Sequence, residues 1–317
     1  MARWTAPDSF EDGWDLYERE MRNVGRKPKT LEMNRDGWER LVRYVTEQAD
    51  AVVSDIEDMT KDHVNAWVAY MRIEAGTDPQ SLCIYFRTAR PMFTWWAEEE
   101  NRVSPFHRAT QPPEPERPVP VQTDDVVNQL LAVCQVTKTD TGWRRLIALR
   151  DDAMIRTFFD VGVRRGELHG MLAEDWRRAV DEVHVRESKT YTRDLAVSPK
   201  TAVSIVRYVR ERERYMRNRV EHGKLWVNRH GKPLTPSGIN QTIDARRRQA
   251  DLPHRLKPQH FRHTHAHNFL LNGGEEGDLV KTMGWNSRQM VDRYGASAAA
   301  ERARAAQRKL RLGDRLR

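Results

Sequence analysis

The 317-residue chain carries 54 Lys and Arg against 46 Asp and Glu, a formal net charge of +8, and 38% of its residues are hydrophobic. That apolar share fills a core and excludes disorder as the main state, and the length is that of two domains at roughly 100–200 residues each. No apolar run approaches the ~20 residues of a membrane span, and the start (Met1-Ala2-Arg3-Trp4) has no signal-peptide stretch, so a cytoplasmic, nucleoid-associated protein is expected.

The charge is unevenly placed. Up to Thr110 there are 15 basic and 20 acidic residues, a balance of −5; beyond it there are 39 and 26, a balance of +13. Such a surplus favours a polyanion, with nucleic acid first, because each phosphate met by Lys or Arg releases condensed counterions. A solvated, Arg-rich surface has the same composition, so the residue pattern has to decide. Cys83 and Cys134 lie in apolar surroundings and fit reduced core thiols, not a disulfide framework, a zinc knuckle or a nucleophile.

From Asp8 to about His107 the pattern is helical. Trp14, Tyr17 and Met21, then Trp38, Leu41 and Tyr44, then Val64, Trp67, Val68 and Met71, and finally Tyr85, Ala89, Phe93 and Trp96 form stripes at helical spacing, as in a bundle. Basic residues cluster at Arg22, Arg26, Lys27 and Lys29, and again at Arg87, Arg90, Arg102 and Arg108; they suit one DNA-facing side and equally a solvated face. Residues 109–121 hold five prolines in thirteen positions, which no helix tolerates, so a linker separates a first domain over 1–108 from a second over 122–296.

In the second domain Thr123 caps a helix, and a more apolar helix runs from about Arg145 to Asp160 and stops at Gly162. Val183 and Val185, then Leu195 and Val197, alternate about a hairpin with Lys189 at its tip. Helices are predicted from Pro199 to about Arg219, Ser237 to Ala250, Gln259 to Leu271, Gly277 to Met283 and Ser287 to Tyr294. A basic C-terminal tail or helix occupies 297–317. The fold class read from this pattern is mainly α with a small β-hairpin (α+β).

Four segments stand out together: Gly162-Val163-Arg164-Arg165-Gly166-Glu167-Leu168; Ser188-Lys189-Thr190; Pro258-Gln259-His260-Phe261-Arg262-His263-Thr264; and Met283-Gly284-Trp285 with Tyr294 nine residues on. Their order and spacing resemble the tyrosine recombinases, or phage integrases. The resemblance covers nearly the whole chain. It implies an N-terminal helical, SAM-like core-binding domain and a catalytic domain of the DNA breaking-rejoining fold, clamping a duplex between them. It implies a site-specific recombinase of compact Xer- or Cre-like architecture, without the arm-binding domain of many lambda-type integrases. The expected partner is double-stranded DNA, with a homo-tetramer assembled on it from a free monomer or weak dimer. No cofactor or metal is expected.

The chemistry gives each position a reason. Metal-free phosphodiester cleavage must neutralise charge growing on two non-bridging oxygens, and planar guanidiniums, always protonated, bind oxyanions bidentately. By resemblance these are Arg164 and Arg262, with Arg165 the structural alternative to the first. Glu167 orients Arg164 or caps the helix start, Lys189 protonates the leaving 5′ oxygen, and Tyr294 is the nucleophile. Trp285 takes the family's His/Trp position and offers an indole N–H. Gln259 departs from the pattern, standing where the family usually has His; it hydrogen-bonds but is no base, and neighbouring His260 lies about 100° around the helix. His263 belongs to the same motif. His263 and His267, at i and i+4, also allow a zinc reading, but the Glu of H-E-x-x-H and a third ligand are missing. In the family the C-terminal segment docks on a neighbouring subunit; here Leu310, Leu312 and Leu316 would do so, while the tail's arginines suit DNA equally. Two alternatives are a catalytically impaired DNA-binding member of the fold and a type IB topoisomerase-like relaxing enzyme.

Overall fold

A computed structural model describes residues 4–49, 52–115, 120–186, 191–217, 223–287, 290, 291, 299, 303, 304, 307 and 308. The chain divides into two units, Met1–Arg117 and Pro118–Arg317.

Among the described residues the first unit is built mainly by the α-helices α1 (Asp8–Asn23), α2 (Pro28–Glu47), α3 (Lys61–Ile73) and α4 (Pro79–Glu99). Their apolar stripes become its core: Trp14, Tyr17, Trp38, Leu41, Val64, Trp67, Phe93 and Trp96 are all buried together. Asp78 starts α4 by accepting from the backbone N–H groups of Gln80 and Ser81. α2 and α4 meet at Gly37, where a Cβ would lie 2.7 Å from the Ala89 nitrogen and 2.8 Å from the Tyr85 carbonyl oxygen; only glycine allows that approach.

The proline-rich segment is held at its two ends by different units. The Thr110 N–H donates to Asn65, the Cys83 thiol lies 3.4 and 3.3 Å from the carbonyls of Pro112 and Pro113, and Glu114 pairs with Arg87, so the segment up to Glu114 runs along the first unit. At the other end the Gln122 N–H donates to the Thr264 hydroxyl of the second unit at 2.8 Å.

The second unit comprises α5 (Asp124–Ala132), α6 (Gly142–Val161), α7 (Arg165–Gly170), strands β1 (Trp176–Arg177), β2 (Glu182–Val185) and β3 (Arg193–Ala196), then α8 (Pro199–Met216), α9 (Pro236–Gln249), α10 (Pro258–Leu271) and α11 (Glu276–Met283). The Thr123 hydroxyl accepts from the Val126 N–H, as a cap should. α6 is the central helix: α8 packs on one side, and α10 on another, through Phe158 stacked on Phe261 at 6.3 Å. The hairpin pairs Val183 with Leu195 and Val185 with Arg193. β1 extends it to a three-stranded antiparallel sheet that the sequence pattern did not reveal, because two residues show no alternation.

The hairpin tip with Lys189 lies outside the described residues, as do Tyr294 and most of 297–317. Of the helix expected from Ser287 to Tyr294, Met290 and Val291 are described and helical, and Val291 is buried in a small cluster with Leu279, Met283 and Trp285.

Candidate active site

The site begins where α6 must stop. Gly162 adopts φ +60, a left-handed conformation that ends the helix, and Val163 is fully buried, which swings Arg164 to the start of α7. Glu167, at the third position of that short helix, reaches back. It accepts from the Arg164 backbone N–H at 2.8 Å and from Arg164 Nη1 at 2.7 Å. The carboxylate is 2% exposed in its side chain and also accepts from Arg193 Nη1 at 3.1 Å and Nη2 at 2.9 Å. Burial alone would raise its pKa, but the hydrogen bonds from Arg193 and Arg164 outweigh this and hold it down at about 2.

The anchor of the site is the C-terminus of α11. A helix leaves its last carbonyls without intrahelical donors and carries partial negative charge there. Three arginines from three elements meet three consecutive carbonyls. Arg193 Nε donates to Thr282 at 2.7 Å, Arg262 Nη2 donates to Met283, and Arg164 Nη2 donates to Gly284 at 2.8 Å. Arg262 is tied at its other end by Nη1 to the Gly162 carbonyl at 2.6 Å and lies 5.9 Å from the centre of the Trp285 ring, itself buried. Residues from three separated stretches of sequence are thereby locked to one helix end.

Beside these anchored arginines lies a cleft of about 580 Å³. Four cations line it, Arg164, Arg165, Lys257 and Arg262, against a single carboxylate among its described residues, Glu167, which is already spanned by arginines. Gln259 and Trp285 line it too. Such a cleft receives an anion with several oxygens.

Of the residues singled out in the sequence, Arg164, Glu167, Gln259, Arg262 and Trp285 come together here, and Arg165 joins them. Lys189 and Tyr294 fall outside the described residues. His260 is partly buried and is not among the described lining residues; burial, then Lys257, lowers its pKa. His263 is buried in α10 next to Arg262. In the first unit Arg22, Arg26, Lys27, Lys29, Arg87 and Arg90 are all exposed. Arg22 pairs with Glu18, Lys29 with Glu32 and Arg87 with Glu114, surface pairs worth at most about 1 kcal/mol.

Sequence reasoning missed Arg193 and Lys257. Arg193 had a usable signal: it shares the inward phase of Leu195 and Val197, where a strand facing a core carries apolar side chains. Lys257, immediately before Pro258 at the start of α10, had none.

Residues 121–301 match the family model described as "Phage integrase family", more than half of the chain. The chain belongs to the phage integrase family. Over 167 residues this integrase-family chain is 26% identical to the tyrosine recombinase XerC of Listeria welshimeri, covering 52% of this chain and 55% of that protein. It thus spans about half the length of the curated relatives it matches first. Among solved structures, the Tn1549 transposon integrase in complex with transposon right-end DNA aligns with a TM-score of 0.71 and 19% identity, over 95% of this chain and 99% of the other. A lambda integrase tetramer bound to a Holliday junction aligns with a TM-score of 0.67 and 17% identity, over 91% and 78%. These likenesses establish a shared fold, mainly helical with a small antiparallel sheet.

Proposed function

We propose that this integrase-family chain is a site-specific DNA recombinase that cuts and rejoins strands through a 3′-phosphotyrosine intermediate. The observation that carries the reading is the cleft in which Arg164 and Arg262 stand together among four cations, each guanidinium held by backbone carbonyls and one also by a buried carboxylate. Donors oriented in advance stabilise charge that develops in the transition state without reorganising when it appears.

In the proposed step the Tyr294 oxygen attacks the scissile phosphorus and loses its proton to water. The bond from phosphorus to the 5′ oxygen breaks, and that oxygen takes a proton from the Lys189 ammonium. Arg164 and Arg262 bind the two non-bridging oxygens, and Gln259 and Trp285 offer side-chain N–H groups. Attack by a 5′ hydroxyl on the phosphotyrosine reverses the step, so bond energy is conserved and the chemistry asks for no nucleotide or metal. His263 and His260 take supporting places on α10. The domain roles proposed earlier complete the reading: the helical first unit, with Arg22, Arg26, Lys27, Lys29, Arg87 and Arg90, grips core-site DNA. Two protomers bind each site, and four assemble with two duplexes through a Holliday junction, the species named for the lambda integrase tetramer.

The test is a nicked suicide substrate carrying the native site, on which cleavage loses a short strand and traps the covalent intermediate. Wild type should form a denaturant-resistant DNA adduct that Tyr294→Phe does not. A wild-type protein that binds the site and forms no adduct sinks the proposal; relaxation of supercoiled plasmid without recombinants turns it toward topoisomerase chemistry.

A further inference from the structure

Arg193 sits on β3 opposite Val185, at an inward register position. A guanidinium buried there is costly unless its donors are matched. They are matched in a particular way. Nη1 and Nη2 donate to the two oxygens of Glu167, at 3.1 and 2.9 Å, and Nε donates to the Thr282 carbonyl at 2.7 Å. Glu167 therefore stands between two guanidiniums, with Arg164 on its other flank at 2.7 Å. A well-packed apolar side chain at 193 would avoid the desolvation altogether. The charge answers to the carboxylate it faces, not to the core around it.

We propose that Arg193 is a positioning residue for strand cleavage: it clamps the Glu167 carboxylate, and through that carboxylate it fixes the direction in which Arg164 presents its guanidinium to the cleft. The inference rests on reading the cleft as a phosphodiester-cleaving site. Arg193 is not itself among the described residues lining the cleft; it reaches the site through Glu167, which is, and through the Thr282 carbonyl at the end of α11. By holding the Thr282 carbonyl, it also registers β3 against the helix end whose next two carbonyls hold Arg262 and Arg164. The Tyr191 hydroxyl, two residues earlier, donates to the Lys281 carbonyl at 3.0 Å and ties the same strand to the same helix end.

A consequence separates positioning from mere packing. Ionised Glu167 accepts from both the guanidinium and the backbone N–H of Arg164; a protonated carboxyl surrenders part of that acceptance. With Arg193 in place the group stays ionised at every working pH. Without it, burial loses its largest opposing contribution, the Arg164 hydrogen bonds remain, and the carboxyl titrates at higher pH. Among the described residues, the charged groups that contact Glu167 or line the cleft with it are Arg164 and Arg165 from its own turn, Arg193 from β3, Arg262 from α10 and Lys257 just before α10; α9 contributes the neutral Asn240, and the end of α11 meets Arg193 with a carbonyl. Among the described residues lining the cleft there is no second carboxylate and no histidine. Among the described lining residues, Glu167 is therefore the one carboxylate whose protonation could give an acid limb on losing Arg193, and the Glu167→Gln background tests that assignment.

The experiment uses the full chain on the suicide substrate and measures adduct rates per folded molecule between about pH 5 and 8, with thermal unfolding recorded at each pH. The expected result is a ratio of Arg193→Met to wild-type rate that falls about tenfold per pH unit below the new Glu167 pKa. Arg193→Lys, which keeps the cation, should recover most of the rate, and in a Glu167→Gln background Arg193→Met should add no pH dependence. A ratio flat with pH, a limb that survives Glu167→Gln, or a rate per folded molecule equal to wild type overturns the role of Arg193 while wild-type cleavage stands. Absence of any wild-type adduct is a different result, and it overturns the function together with the inference.

Discussion

Gly162→Ala perturbs the point where α6 ends and the site begins. Two costs combine. An L-residue held at φ +60 loses about 1–2 kcal/mol relative to its ordinary conformations. The new Cβ would also lie 2.7 and 2.8 Å from the Cδ2 and Cγ of the His265 ring, closer than real Cβ atoms come, and overpacking of this kind costs about 1–3 kcal/mol. The sum is about 2–5 kcal/mol. With a urea m-value of roughly 2 kcal/mol/M, the midpoint of the second unit should fall by about 1–2.5 M with the slope unchanged. The ring clash is separable from the backbone strain: in a His265→Ala background the ring is gone and only the Cβ remains, 3.0 Å from the new one, so the cost of Gly162→Ala should fall toward that of the strain, about 1–2 kcal/mol. The Gly162 carbonyl holds Arg262 Nη1 at 2.6 Å, so the substitution should also lower adduct formation at urea-free, fully folded conditions. Gly162→Ala within about 0.5 kcal/mol of wild type, or an equal cost with and without His265, would refute the reasoning.

Asp151 tests the interior of the same unit. It is 3% exposed in its side chain and takes Arg150 at 2.6 Å and Arg246 at 2.8 Å, so Asp151→Asn removes the charge partner of the buried Arg150 and the part-buried Arg246, which keep the Val227 and Val133 carbonyls, and should cost about 3 kcal/mol in urea denaturation; a loss under about 1 kcal/mol would contradict the pairing. Gln259→His places a base in the cleft and should hold or raise the adduct rate above the imidazole pKa of about 6.5, whereas a large loss at pH 8 would refute the alignment of Gln259 with the family's histidine. Burial pushes the Cys134 thiol up to about 12 and raises that of Cys83, so a disulfide thiol reagent at about pH 8 should label neither in the native protein and both after unfolding; rapid labelling of native protein would exclude these environments.

Much of the chemistry was readable in order and spacing alone. The apolar stripes of Trp14, Trp38, Trp67 and Phe93 could only be core, because a helix that repeats bulky apolar residues at its own period must bury that face. The stop of α6 at Gly162 and the cap at Thr123 were legible because single residues impose those conformations or supply that acceptor. Arg164, Arg262 and Trp285 were named by motif, and the structure brings them to one cleft.

What the chain order could not express is which groups satisfy which. Glu167 read equally well as a helix cap and as a partner of Arg164, and it is both, with Arg193 as a third party that no local pattern announced. Local propensity and periodicity act over a few residues, so they determined the helices, the hairpin and the residue types available for phosphate chemistry. Burial of charge is decided across 26 to 120 residues of separation, between Glu167 and Arg193 or Arg164 and Gly284. Only the packed unit decided that three guanidiniums would meet three successive carbonyls at the end of α11, because donors and acceptors removed from water must find one another wherever the fold leaves them.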